Sequence, residues 1–172
     1  MTKMLTLPPV ISHTITEGGA RLLRSRRLVR APIWLYRARL GFLFGSRLLM
    51  LEHIGRQSGA RRYVVLEVID HPTPDTYVIA SGFGTRAQWF RNVQANPQVR
   101  VFVAGHAPAH ATARRLTPAE ADTSLKAYST RHPRAWGALK GVIETTLGAP
   151  IGDRDTELPM IGLHLRGSRG EC

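Results

Sequence analysis

The chain has very little cysteine. Its only cysteine is Cys172, the last of 172 residues, so no disulfide can form within the chain. Such cysteine usage fits a reducing compartment. No uninterrupted apolar stretch approaches the length that crosses a bilayer, and residues 1–15 lack the apolar region of a cleavable secretory signal. We therefore expect a cytoplasmic protein.

Several motifs that carry catalysis are also missing. The seven histidines show no tight metal-ligand spacing, so the sequence predicts no metal site. No Gly-x-Ser-x-Gly nucleophile elbow occurs. Gly82 and Gly84 do not complete a dinucleotide-binding fingerprint, because the third glycine and the βαβ setting are absent. These absences favour chemistry that a bound cofactor supplies.

Acidic residues are scarce relative to basic ones. The chain carries 24 Lys and Arg against 12 Asp and Glu, a net charge of +12. Seven arginines lie within residues 21–39, where apolar residues fall on one side of a helical wheel, which predicts a basic amphipathic helix at about 19–45. This helix is suited either to an anionic membrane surface or to packing on the domain. Net charge alone predicts no specific nucleic-acid partner. We expect residues 1–17 to form a loose N-terminal arm.

A basic turn stands out between two apolar runs. It reads Gly55-Arg56-Gln57-Ser58-Gly59-Ala60-Arg61-Arg62, and each neighbouring run is typical of a strand. The segment is therefore predicted to be a hairpin turn, which we call the basic turn. Its three arginines suit a phosphate or carboxylate, because guanidinium groups bind these anions bidentately.

The rest of the chain predicts an α+β fold rich in antiparallel strands. Strands are expected at about 47–54, 62–70, 76–81, 98–104, 107–116 and 159–166, with a hairpin turn at 71–75. A short helix is expected at 87–95. Thr117, Pro118 and Glu120 form a helix-start pattern before two further helices that end near Leu147. Successive strands with few helices between them favour a mostly antiparallel split β-barrel with flanking helices, in one domain over residues 18–172.

Two motifs in this order resemble the deazaflavin-dependent nitroreductases, also called split-barrel deazaflavin-dependent oxidoreductases. The first is the G-R-x-S-G-x-x-R pattern of the basic turn. The second is W-x-x-N-x-x-A-N-P-x-V, which runs from Trp89 to Val99 after a strand that ends Ala80-Ser81-Gly82. Residues 45–116 carry most of the resemblance. It implies an FMN-binding-like split barrel and the deazaflavin coenzyme F-420 as cofactor.

The resemblance also implies which residues bind the cofactor. The anionic tail would meet the basic turn, although family members often have lysines where this chain has Gln57 and Ala60. A strand, a loop and a helix would surround the ring of the cofactor. Trp89 is equally suited to packing in the core, and Asn92 to capping the helix or tying it to the turn, as either is to direct contact with the cofactor. The implied cofactor residues are Arg56, Gln57, Ser58, Arg61, Arg62, Val64, Val65, Leu66, Ser81, Gly82, Phe83, Gly84, Trp89 and Asn92.

The implied reaction is hydride transfer to a quinone, a nitroaromatic compound or an activated double bond. Ser81 and Tyr128 are the candidate catalytic residues, and Tyr128 is equally suited to packing by its ring. His132-Pro133 stands where a tyrosine-proline pair is common in the family. Two alternatives remain at this stage: a split barrel that binds FMN, and a non-enzymatic protein that binds anionic lipid through residues 20–44.

Overall fold

A computed structural model describes residues 47–103, 106–152, 154 and 156–166. The described chain contains six strands and three α-helices. The strands are β1 (Leu48–Ile54), β2 (Arg61–Thr73), β3 (Thr76–Ala80), β4 (Gln98–Val103), β5 (Ala109–Arg115) and β6 (Met160–Leu165). The helices are α1 (Gln88–Ala95), α2 (Pro118–Arg131) and α3 (Pro133–Leu147), and a 3-10 turn covers Gly84–Arg86. The predicted arm at 1–17 and basic helix at 19–45 lie outside the described residues.

The six strands close into an antiparallel barrel in the order β1-β2-β3-β6-β5-β4. Closure comes from the pairing of β1 with β4, in which Leu49 lies opposite Val103. A closed barrel leaves no unpaired sheet edge. The α+β class and the mostly antiparallel barrel predicted from the sequence are confirmed.

Alternate strand residues fill the barrel. One buried cluster takes every second residue from each strand, including Leu49 and Leu51 of β1, and α1 packs on it through Phe90 and Val93. A second cluster joins the outer face of the sheet to α2 and α3, with Tyr128 among its members. This period of two is the strand pattern that the sequence displays.

The hairpin between β2 and β3 differs from the prediction. We expected residues 71–75 to form the turn, but β2 continues through Pro72 to Thr73. The proline is tolerated because the β2–β3 register shifts between Asp70 and Thr73, so no regular ladder bond is required of the missing N–H. The prediction that the turn begins at residue 71 was therefore wrong.

The predicted start of α2 is confirmed. Thr117 is the N-cap: its hydroxyl accepts a hydrogen bond from the backbone N–H of Glu120, and the Glu120 carboxylate accepts one from the Thr117 backbone N–H. This reciprocal capping box satisfies two donors that a helix N-terminus otherwise leaves free. Arg114 of β5 donates two hydrogen bonds to the same carboxylate, so the cap also fixes α2 to the barrel.

Candidate active site

The basic turn opens onto a cavity of about 780 Å³, which we call the turn cavity. Its walls come from the end of β1, the basic turn, the start of β2, the loop after β3 and the first turns of α1. Eight of the residues implied by the family resemblance line it: Arg56, Gln57, Ser58, Arg62, Val64, Phe83, Trp89 and Asn92. The fold therefore brings together residues from both motifs, which are more than 20 positions apart in sequence.

The charged side chains of the described residues that line this cavity are all positive. Arg56, Arg62 and Arg86 line it, and no Asp or Glu of the described chain does. Tyr63, Phe83 and Trp89 add aromatic surface. The cavity thus combines cationic donors with flat apolar walls, a combination that suits a planar ligand with an anionic substituent.

Strand alternation places two neighbouring arginines on opposite faces of β2, and only Arg62 lines the turn cavity. In the β1–β2 pairing, Arg62 lies opposite His53, whereas Arg61 lies opposite Ile54 on the other face. Arg61 instead approaches the buried carboxylate of Glu52, with 3.7 Å between Nε and Oε1. Arg61 was among the implied tail-binding residues, and the structure places it outside the turn cavity.

Asn92 ties α1 to the basic turn. It is buried, and its Oδ1 accepts hydrogen bonds from the Arg56 backbone N–H at 3.2 Å and from Arg56 Nη1 at 3.0 Å. Arg56 Nη1 also donates to Gln88 Oε1 at 3.0 Å. Two backbone hydrogen bonds close the turn itself, and Gly59 adopts a φ of 63° that glycine tolerates. The turn is thus held in one shape from inside the protein.

His53 is a site residue that the sequence analysis did not select. It continues the inward-facing line of Leu49 and Leu51, is 4% exposed, and lines the turn cavity. Its Nδ1 lies 3.3 Å from Asn92 Nδ2. The pKa of His53 is lowered to about 4, chiefly by burial and to a smaller extent by the charge of Arg62, whereas a backbone hydrogen bond at Ile54 partly opposes the shift. The imidazole is therefore uncharged at neutral pH.

The loop after β3 presents Phe83 and buries Ser81. Phe83 is 54% exposed, and no other large hydrophobic side chain of the described residues is exposed. Ser81 is fully buried: its hydroxyl donates to the Gly84 carbonyl at 2.7 Å, and its backbone N–H donates to Pro159. These contacts give Ser81 a structural role in the turn and do not support its assignment as a catalytic residue.

Tyr128 also has structural contacts. Its hydroxyl donates to Glu67 Oε1 at 2.6 Å, and Glu67 receives a second hydrogen bond from Arg47. The ring packs against His132 and Trp136 in the second cluster. Burial, together with the bond to Glu67, raises the pKa of Tyr128 to about 12. Tyr128 does not line the turn cavity.

Five further residues implied by the resemblance do not line the turn cavity: Val65, Leu66, Ser81, Gly82 and Gly84. The cavity has six lining residues that sequence reasoning missed: His53, Gly55, Tyr63, Arg86, Ala87 and Gln88. Strand alternation is the sequence signal that marks His53, because Leu49 and Leu51 precede it at a spacing of two along the predicted strand. No comparable sequence signal marks Arg86 or Gln88.

A second cavity of about 690 Å³ adjoins the turn cavity, and we call it the loop cavity. The two share Phe83 and Arg86. The other walls of the loop cavity are part apolar, with Leu116, Leu147 and Met160, and part polar, with Thr85, Arg115, Thr156 and Glu157. In the described part of the chain, no group of three metal-ligating side chains is close enough to hold an ion. None of the described helices has the length and apolar character needed to span a bilayer.

Solved structures of similar fold come from several kinds of protein. An F420-H2 dependent reductase is 22% identical, with 69% of this chain and 94% of that chain covered and a TM-score of 0.49. The Agrobacterium tumefaciens protein Atu2129 is 19% identical, with 94% and 60% covered and a TM-score of 0.51. The heme storage protein HutZ of Vibrio cholerae is 14% identical, with 78% and 92% covered and a TM-score of 0.50.

Because Atu2129 and HutZ are so distant in sequence, they support the barrel fold and no particular cofactor. No curated protein matches the chain. The family model for the F420H(2)-dependent quinone reductases matches residues 28–139. That match spans more than half of the chain and includes both the basic turn and the motif that runs from Trp89 to Val99. The chain therefore belongs to the F420H(2)-dependent quinone reductase family, oxidoreductases whose cofactor is the deazaflavin coenzyme F-420.

Proposed function

We propose that this protein reduces a quinone with a hydride from reduced coenzyme F-420, and that the turn cavity holds the anionic part of the cofactor. The observation that carries the placement is the charge of the cavity: among the described residues that line it there are three arginines and no carboxylate. The family name favours a quinone over the nitroaromatic compounds and activated double bonds that the sequence also allowed.

The hydrogen-bond donors of the basic turn differ in whether they already have partners within the protein. Arg56 is already engaged by Asn92 and Gln88, so its main task is to hold the turn. The Arg62 side chain makes no hydrogen bond or ion pair with the described residues, and it lines the cavity. Ser58 Oγ accepts from the Ala60 backbone N–H, which leaves its own proton available. We therefore assign the main anion contact to Arg62, with Gln57 and Ser58 beside it.

The aromatic walls suit the ring of the cofactor. Trp89 packs partly into the barrel core and partly against the cavity, so one side of its indole is fixed. Val64 and Tyr63 of β2 also line the cavity. When bound, reduced F-420 supplies the hydride, and the chain binds the cofactor, orients it and excludes water.

The quinone would enter from the loop cavity. Hydride transfer requires the donor and the acceptor to touch, and the loop cavity meets the turn cavity at Phe83 and Arg86. Its apolar residues suit a quinone ring, and Arg86 and Arg115 are donors for quinone oxygens.

A cytoplasmic location remains a prediction. Membrane contact through residues 20–44 also remains a prediction, because these residues lie outside those that the structure describes.

The test is turnover with defined partners. Purified protein is mixed with reduced F-420 and a water-soluble naphthoquinone, and oxidation of the cofactor is followed by its absorbance. We expect the protein to accelerate quinone-dependent oxidation of reduced F-420 over the reaction without protein, and to give no such acceleration when reduced FMN replaces it. Acceleration with reduced FMN but not with reduced F-420 would instead favour the FMN alternative. An Arg134→Ala variant is a suitable control, because Arg134 is exposed on α3 and lines neither cavity.

A further inference from the structure

The proposed function leaves one buried titratable group without a task. His53 lies at the inner wall of the turn cavity, 4% exposed, and contacts an asparagine that is itself 6% exposed. A buried imidazole against a buried amide must have matched hydrogen-bonding roles, because an unmatched pair costs free energy. The contacts of Asn92 decide these roles.

The Asn92 amide has only one orientation that satisfies its neighbours. The Arg56 backbone N–H and Arg56 Nη1 are both donors, so the atom they approach must be the carbonyl oxygen Oδ1. The amino group Nδ2 therefore points towards His53. Because Nδ2 can only donate, His53 Nδ1 must accept, and the ring proton resides on Nε2.

We propose that His53 is a positioning residue that orients the Asn92 amide and thereby holds Arg56, and with it the basic turn, in its ligand-binding shape. We call the chain His53–Asn92–Arg56 the amide latch. A proton on Nδ1 would turn the acceptor into a donor. Asn92 would then have to present Oδ1 to His53 and Nδ2 to Arg56, which would remove both hydrogen bonds that Arg56 donates to Asn92.

The charges around His53 all favour its uncharged form. Arg62 lies opposite it on β2, and Arg56 and Arg86 line the same cavity. From α1, Gln88 and Asn92 face the site and carry no charge. Glu52 points to the other side of β1, where it approaches Arg61 and Arg100. Burial and Arg62 lower the pKa of His53 to about 4, so the latch is closed at neutral pH and opens only in acid.

The test uses the full-length protein without cofactor. Amide hydrogen exchange of Arg56 is measured by NMR as a protection factor between pH 3.5 and 7, together with the side-chain NH₂ signals of Asn92 and the ring signals of His53. We expect all three to change with one midpoint near pH 4. A constant Arg56 protection factor while His53 titrates would overturn the proposal.

Two substitutions separate positioning from simple filling of space. In His53→Gln, the side-chain carbonyl can still accept from Asn92 Nδ2, so Arg56 protection at pH 7 should stay within threefold of wild type and lose its acid midpoint. In His53→Leu, nothing accepts, and protection should fall at least tenfold. Equal protection in the Leu and Gln variants would contradict the latch, as would an acid midpoint that persists in the Gln variant.

The consequence for the cofactor rests on the proposed function and is tested separately. We expect the Kd for F-420 to rise about tenfold in His53→Leu and to stay within threefold in His53→Gln. If the exchange results hold but neither variant changes F-420 affinity, the latch stands and the placement of the cofactor is wrong. If the exchange results fail, the latch is wrong whatever the affinities are.

Discussion

Arg62 lies directly opposite His53 in the antiparallel pairing of β1 and β2, on the face that lines the turn cavity. This relationship places a free guanidinium beside a buried, uncharged imidazole. The preceding residue, Arg61, lies on the opposite face of the same strand. The pleat of β2 therefore places two arginines of one motif in different surroundings, one at the turn cavity and one beside Glu52.

The first prediction concerns the anchoring of the basic turn. Arg56→Ala removes the hydrogen bonds from the guanidinium to Gln88 and Asn92, and should lower the free energy of unfolding by about 1 kcal/mol. Urea denaturation provides the measurement. Arg62→Ala is the matched control, because it removes the same charge without such bonds and should leave the midpoint unchanged. An equal loss in both variants would indicate a general charge effect.

The second prediction concerns pH. His53 has a pKa of about 4 in the folded chain, against an ordinary value of 6.5. Between these values the unfolded chain binds the proton and the folded chain does not, so folding is penalised as the pH falls. The free energy of unfolding should drop by up to about 3 kcal/mol from pH 6.5 to pH 4 through this group.

The matched comparison for this pH effect is His53→Gln against His110→Gln. His110 is exposed on β5, so its replacement should leave the acid sensitivity intact. His53→Gln should remove that part of the pH dependence. Denaturation curves at several pH values give the free energy of unfolding as a function of pH. If this dependence were as steep in His53→Gln as in wild type, the assignment would be refuted.

The third prediction concerns Tyr128. Tyr128→Phe removes the hydrogen bond to the charged Glu67 and should destabilise the fold by about 2 kcal/mol. The raised pKa makes the hydroxyl a poor proton donor, so we expect kcat to change less than threefold. Thermal unfolding and turnover are measured on the same preparation. A hundredfold loss of kcat with an unchanged Kd for F-420 would instead make Tyr128 catalytic.

The fourth prediction concerns the capping box of α2. Thr117→Ala removes the acceptor for the Glu120 backbone N–H and should cost about 1 kcal/mol. Thr123→Ala, in the middle of the same helix, is the control: its hydroxyl only donates to the Ala119 carbonyl, so its loss should have a smaller effect. Chemical denaturation of both variants distinguishes a capping effect from the loss of any threonine.

The sequence predicted most elements of the fold, and only part of the implied cofactor-residue set lines the turn cavity. Strand alternation, the Thr117–Glu120 pattern and the Asn96-Pro97 stop are local signals, and the corresponding elements agree with the structure to within two or three residues. The continuation of β2 through Pro72 was missed, because a register shift depends on the partner strand. Motif similarity identified Arg62 and Asn92 but did not separate Arg61 from Arg62, although their alternation was visible. Arg86 and Gln88 depend on how α1 packs against the turn, and the sequence alone does not define that packing.

The most direct test of the account is a fluorescence titration of coenzyme F-420 with wild type, Arg62→Ala and Arg61→Ala, and with FMN in parallel. The two variants lose the same charge one residue apart, so long-range electrostatics are nearly matched. We expect Arg62→Ala to raise the Kd for F-420 at least tenfold, as loss of a charge-assisted hydrogen bond does, and Arg61→Ala to raise it no more than threefold. Equal effects of the two substitutions, or tighter binding of FMN than of F-420, would contradict the placement of the cofactor in the turn cavity.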